Sequence, residues 1–312
     1  MTPYSWRLCC LSLAALFVVQ VCAGLALRFA APRLVRMAGK FDAARAATFM
    51  LVLRWLPGIA GIFFACCLCV PAYLRLEPLG GEEQIGLLCA ALASLAVSSF
   101  LIPIARAALT IARSEIRLRR LVHDAEEIAG LYVIRETSPA MALAGLFHSR
   151  VVVSREVVGL LSADQMDAAR RHERAHLESG DNWKRVVLAC APIDCGGRRL
   201  RSAWSRFTEW AADDKAARGD SARSVALASA LVSVARLASP DSLGHTSMLV
   251  SDGCELRARV ERLLEPQQRA AQTFSVSAVW TIATAVAASI VVAAQHPACA
   301  AIVHRLLEAL VD

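Results

Sequence analysis

The sequence predicts a mainly α membrane protein, with four transmembrane helices and an α+β domain carried between the third and the fourth. Three observations lead there. Apolar residues make up 56% of the 312 positions and mean hydropathy is +0.48, above the near-half apolar content usual for soluble domains. The excess gathers in long runs of about twenty residues, each enough to cross about 30 Å of hydrocarbon. The charged residues gather between 113 and 272, enough chain for one domain with its own core.

The candidate spans are 8–31, 55–74, 85–112 and 273–295. Pro57 and Pro103 fall inside two of them, which membrane helices tolerate. The first run is long for a signal peptide and has no small-residue cleavage site, so it reads as a retained anchor. Arg28 lies at the end of span one, and Arg33, Arg36, Lys40 and Arg45 follow it. Arg113, Arg117, Arg119 and Arg120 follow span three, whereas Glu77, Glu82 and Glu83 dominate the intervening loop. The positive-inside bias then places the domain in the cytoplasm of a multi-pass plasma (inner) membrane protein, with the N-terminus and a short tail at 296–312 outside. The division is a membrane region at 1–112, a cytoplasmic domain at 113–272, a fourth span at 273–295 and the tail. The same bias accounts for the net charge of +7. No stretch interleaves basic and aromatic residues as a nucleic-acid surface would, so the expected partners are a protein or peptide and the lipid bilayer. Oligomeric state is not legible. Seven of the 11 cysteines lie in apolar runs, and Cys190, Cys195 and Cys254 lack CxxC spacing, so neither a disulfide framework nor a cysteine metal site is expected.

Inside the domain, Ile116 to Gly130 has helical periodicity and stops at glycine. Leu131–Ile134 and Val151–Val153 read as strands, and Ser138–Gly145 as an edge strand. Ser162 and Gln165 form a capping box for a helix that runs through His176 and closes at Gly180-Asp181. Trp183–Ala191, Trp204–Arg218, Ala222–Leu237 and Glu255–Leu264 complete the helices.

The chemistry rests on His172-Glu173-Arg174-Ala175-His176. Residues four apart share a helix face, so both imidazoles can reach one zinc ion, with Glu173 beside them as general base toward its water. A third ligand is needed, and Glu209 in Glu209-Trp210-Ala211-Ala212-Asp213 offers it from another helix. Asp213, one turn on, can accept the ring N–H of His172 and set its tautomer. The plain alternatives are an exposed helix face for the histidines and a surface ion pair for Glu209, with Asp214 as neighbour. His245, Arg257 and Arg259 are candidates for oxyanion stabilisation; His123 and His148 read as packing or surface residues.

HExxH followed by ExxxD resembles the gluzincin pattern. The nearer likeness is to membrane gluzincins, the BlaR/MecR type of sensor-transducer and the HtpX/Ste24 type. Val151-Val152-Val153-Ser154 with the helix after it, Ser179-Gly180-Asp181-Asn182, and Arg257 to Leu264 support it. The resemblance covers roughly 121–266. It implies a zincin-like peptidase domain, with Zn2+ held by His172, His176 and Glu209, that hydrolyses peptide bonds of a cytoplasmic or membrane protein. The role is regulatory proteolysis or quality control. BlaR-type sensors carry a penicillin-binding domain after the fourth span; only residues 296–312 follow here, so antibiotic sensing by that route is not expected. Ser251-Asp252 stands where the HtpX type often has His-Pro. A non-catalytic regulator that binds a partner is the competing class. A transporter is disfavoured, since the spans hold no acidic residue and basic ones are few, with Arg54 and Arg106 within or near them.

Overall fold

The computed structural model describes residues 4–77, 85–128, 130–135, 141–147, 149–192, 197–237, 253–265, 292 and 296–308. Three helices are long and apolar enough to cross a membrane. The first, α1, is Tyr4–Ala38, 35 residues. At 1.5 Å per residue that is about 52 Å, well beyond the hydrocarbon thickness. A short turn leads to Asp42, whose side chain caps α2 (Ala43–Phe64) by accepting from Arg45 N at 2.9 Å. A π-helical turn at Ala65–Cys69 joins α2 to α3 (Val70–Leu76). Pro71 explains it: its ring has no N–H and crowds the preceding turn, which widens. The third long helix, α4, is Leu87–His123.

These helices overshoot the spans read from hydropathy. The helix that carries the second begins at Ala43, and α4 runs unbroken past 112. A helix does not stop where the hydrocarbon does; Arg33, Arg36, Arg45 and Arg113 ride on its extensions. Small residues let α1 and α2 approach closely: a Cβ on Gly61 would lie 2.8 Å from Leu16 O. At one end of the bundle Arg7 pairs with Glu77 at 2.8 Å and Tyr4 packs on Tyr73. The helix α11 (Pro297–Glu308) lies at that end too, with Val303 buried against Cys10, Ala72 and Tyr73. Within the segment expected as a short external tail, the described residues are thus mostly helical, with Val303 packed on the bundle. The fourth candidate span, 273–295, lies outside the described residues but for residue 292.

After α4 come four short strands: β1 (Glu126–Ile128), β2 (Leu131–Ile134), β3 (Met141–Ala144) and β4 (Arg150–Ser154). The sheet order is β1-β2-β4-β3, with β2 parallel to β4 and the other pairs antiparallel. The helix expected to reach Gly130 ends at His123. Gly130, at φ +78°, makes the tight turn that folds exposed, acidic β1 back on β2. Alternation divides the sheet faces. Leu131, Val133, Met141 and Val153 pack on α9 (Ser221–Leu237), while Ile134 and Val152 pack on Leu118 of α4.

Between sheet and α9 run α5 (Arg155–Leu160), α6 (Ala163–Ser179), α7 (Asp181–Cys190) and α8 (Gly197–Ala217); α10 (Gly253–Leu264) follows. The helix expected from Trp204 begins already at Gly197. Its added residues Leu200 and Ala203 join Trp204 and Phe207 in an i, i+3, i+4, i+7 stripe, buried against Leu27, Ala31, Met50 and Leu53 of the α1–α2 hairpin. Arg54 explains its own place in an apolar helix: it donates to the carbonyls of Ala191 and Pro192, both at 2.9 Å, at the C-terminal end of α7.

Candidate metal centre

The site starts from one helix cap. Ser162 accepts from Gln165 N while Gln165 reaches back to Ser162 N at 2.9 Å, so both halves of the capping box are made. That sets the start of α6. His172 and His176 then fall on the face turned toward α8, and both are buried. Their Nε2 atoms are 3.1 Å apart. From α8, Glu209 places Oε2 3.4 Å from His172 Nε2 and Oε1 3.7 Å from His176 Nε2. One donor atom from each residue lies within 4.8 Å of the others, so the three can hold a metal ion.

The far side of each imidazole is also occupied. Asp213 Oδ1 is 3.0 Å from His172 Nδ1, although the ring N–H does not point squarely at it. Asp181 Oδ2 is 2.8 Å from His176 Nδ1. Carboxylates at both Nδ1 atoms favour the tautomer that turns the Nε2 lone pairs to the cluster. Gly180 makes the second contact possible. It ends α6 in the left-handed region, at φ +67°, so α7 begins at once with Asp181 aimed back at the helix it follows.

Glu173 is buried beside the histidines, and its Oε2 accepts from Leu143 N on β3 at 2.7 Å. The oxyanion candidates part ways. Arg257 points outward to Glu261, and His245 lies outside the described residues, as do His148 and Ser251-Asp252. Arg259 is buried, donating to both Asp213 oxygens at 2.8 and 2.9 Å and lying 3.0 Å from Glu209 Oε2. It therefore orients the carboxylates rather than facing open space. Asp214 pairs with Arg262, so it stands apart from the cluster. Arg174 is surface, paired with Glu178.

Burial and charge compete throughout the site. Burial disfavours charged imidazoles, but Asp213 and Glu209 override it at His172, and Asp181 and Glu209 push His176 up to about 10. Glu173 is held above the ordinary carboxylate range by burial, against the pull of the imidazoles and the Leu143 N–H. Burial also opposes ionisation of Glu209 and Asp213, yet the histidines and Arg259 hold both carboxyls low, Asp213 at about 2. Burial lowers the Arg185 guanidinium, with Glu209, Asp181 and Glu173 as its nearby anions.

Sequence reading missed Asp181 as a partner of His176 and Arg185 as a neighbour of the cluster. The glycine-then-acid step after the motif was the available signal for Asp181. Arg185 carried none, because its place depends on how α7 folds back. Comparison with known protein families, characterised proteins and solved structures finds no match to the chain.

Proposed function

We propose that the protein is a membrane-embedded, zinc-dependent endopeptidase of the gluzincin type, acting on a cytoplasmic or membrane protein. Four spans would hold it in the plasma membrane with the domain inside. The observation that carries the reading is convergence. Two imidazoles from α6 and a carboxylate from α8, far apart in sequence, meet within coordinating distance with an unliganded glutamate beside them. Two nitrogens and one carboxylate oxygen suit zinc and leave coordination positions for chemistry. His172, His176 and Glu209 would hold the ion, and Asp213 and Asp181 would fix the imidazoles. When bound, zinc supplies Lewis-acid polarisation of the scissile carbonyl and the attacking water.

The remaining work falls to the chain itself. Glu173 accepts a proton from the attacking water at its carboxylate and returns it to the leaving amine. Its raised proton affinity suits both roles, since a carboxylate of ordinary strength would hold the proton too weakly to pass it on. Arg259 keeps Glu209 ionised and pointing at the histidines. Glu173→Gln in the full-length protein tests this. The variant is expected to retain one zinc per chain and to lose cleavage of an unfolded protein by about three orders of magnitude or more. Wild-type rates in that variant would end the proposal.

A further inference from the structure

The helix α7 carries its polar residues at one end. Asp181, Asn182, Lys184 and Arg185 fill the first half, and none follows from Val186 to Pro192, where Cys190 counts as a small hydrophobe. Trp183, Val187 and Cys190, at i, i+4 and i+7, form an apolar stripe that the protein leaves uncovered: Trp183 and Val187 are exposed and Cys190 is half-buried. We propose that α7 enters the bilayer by its C-terminal half, with this stripe against lipid acyl chains, and so holds the metal centre at the membrane surface. The inference rests on the membrane reading above and not on the peptidase one.

The far end of α7 lies deep among the apolar helices. Pro192 sits on Gly58 of α2, where a Cβ would lie 2.7 Å from the proline Cγ and 3.7 Å from Phe100 Cε1 of α4. At 1.5 Å per residue, Gly58 is about 5 Å inside the apolar run 55–74 and Phe100 about 18 Å inside 85–112, each from the end nearer the domain. Over the same depth α4 leaves Leu101, Ile104 and Leu109 exposed. The near end of α7 stays outside the runs. Asn182 donates to Gly145 C=O at 2.7 Å, next to the Leu146 N–H that Glu115 of α4 accepts at 2.7 Å, and Glu115 lies beyond 112. Trp183 then falls between the two, where indole rings collect at the headgroup level. Asp181, the first residue of this ten-residue helix, is 2.8 Å from His176 Nδ1, so the centre lies about 15 Å from the inserted end.

The carbonyls at that end are satisfied as a dry environment requires. The last C=O groups of a helix have no donor within it. Here Trp55 Nε1 donates to Val187 O at 3.0 Å, and the buried Arg54 donates to Ala191 O and Pro192 O, both at 2.9 Å. Water would serve a helix end in the cytoplasm. In hydrocarbon an unmet carbonyl is costly and side chains must meet it, and these come from the span alongside.

The test uses full-length protein in phosphatidylcholine nanodiscs. Val187 and Val225 are the same residue at similar exposure, 42% and 52%, and Val225 lies on α9, across the sheet from α4. In the unmodified chain, hydroxyl radicals made in water should oxidise Val187 at least about fivefold less than Val225, read by peptide mass spectrometry. Benzoylphenylalanine in place of Val187 should form a phospholipid adduct on irradiation, as it should in place of the exposed Leu101, and should form none in place of Val225. Oxidation of Val187 within about twofold of Val225 overturns the proposal. So does a Val187 probe that gives no lipid adduct where the Leu101 probe gives one, or that links to a second copy of the chain. A Leu101 probe without lipid overturns it as well, by removing the membrane reading. Neither measurement involves cleavage, so the peptidase reading stands or falls separately on Glu173→Gln.

Discussion

Removal of Asp181 probes the metal centre at the point where structure adds most to sequence. The carboxylate is buried and lies 2.8 Å from His176 Nδ1. Losing a partner of this kind costs about 10- to 100-fold in metal affinity, or about 1.4–2.7 kcal/mol. Two features push Asp181→Ala to the upper end. Burial limits how well water can replace the carboxylate. Asp181 is also one of the anions beside Arg185, so its loss leaves the guanidinium facing the ion with less screening. Asp181→Asn keeps an acceptor but no charge, and should fall about tenfold below wild type. Competition against a chromophoric zinc chelator, on full-length protein near neutral pH, gives the affinities. Asp181→Ala binding zinc within about twofold of wild type would show that the contact does not orient His176.

Arg259→Leu leaves buried Asp213 and part-buried Glu209 without their shared cation. It should destabilise the metal-free protein by about 3–5 kcal/mol; a loss under about 1 kcal/mol in denaturant titration would contradict the ion-pair assignment. Ser162→Ala should cost about 1 kcal/mol through the capping box alone, with zinc stoichiometry unchanged. Metal uptake should release protons, and apparent affinity should climb as pH rises through neutrality, because His176 holds its proton up to about 10 without metal. The sign for folding is opposite. The raised imidazole stabilises the metal-free protein fully below its unfolded value near 6.5, and that contribution is lost as pH rises through about 10. Calorimetric titration in buffers of differing ionisation enthalpy reads the proton release, and a flat profile would refute it.

Local signals carried well. The Ser162–Gln165 capping box, the β-branched run at 151–153 and the four-residue spacing of His172 and His176 each depend on residues within a turn or two of one another. What failed to carry was long-range. The start of α8 at Gly197 follows from the hairpin that Leu200 and Trp204 cover, and nothing near them in sequence reveals it. Glu126–Ile128 lost its helical assignment to pairing with β2, a tertiary choice. Arg259 looked as suited to substrate as Arg257, and only folding shows that it binds Asp213 and Glu209 from α10. The helices run past the hydropathic runs because a helix ends where its hydrogen bonds find other partners, not where the apolar residues stop.

One helix joins two territories. Leu200 and Trp204 fasten α8 to the α1–α2 hairpin, and two turns later the same rod presents Glu209 to histidines on α6, which packs on α7, α8, α9 and β3. An ion bound by all three side chains would therefore rivet the apolar helices to the half that carries the two histidines. Sliding or tilting of the hairpin would then pull directly on one of the ion's three protein bonds, and stripping the ion would free the two halves to shift against each other.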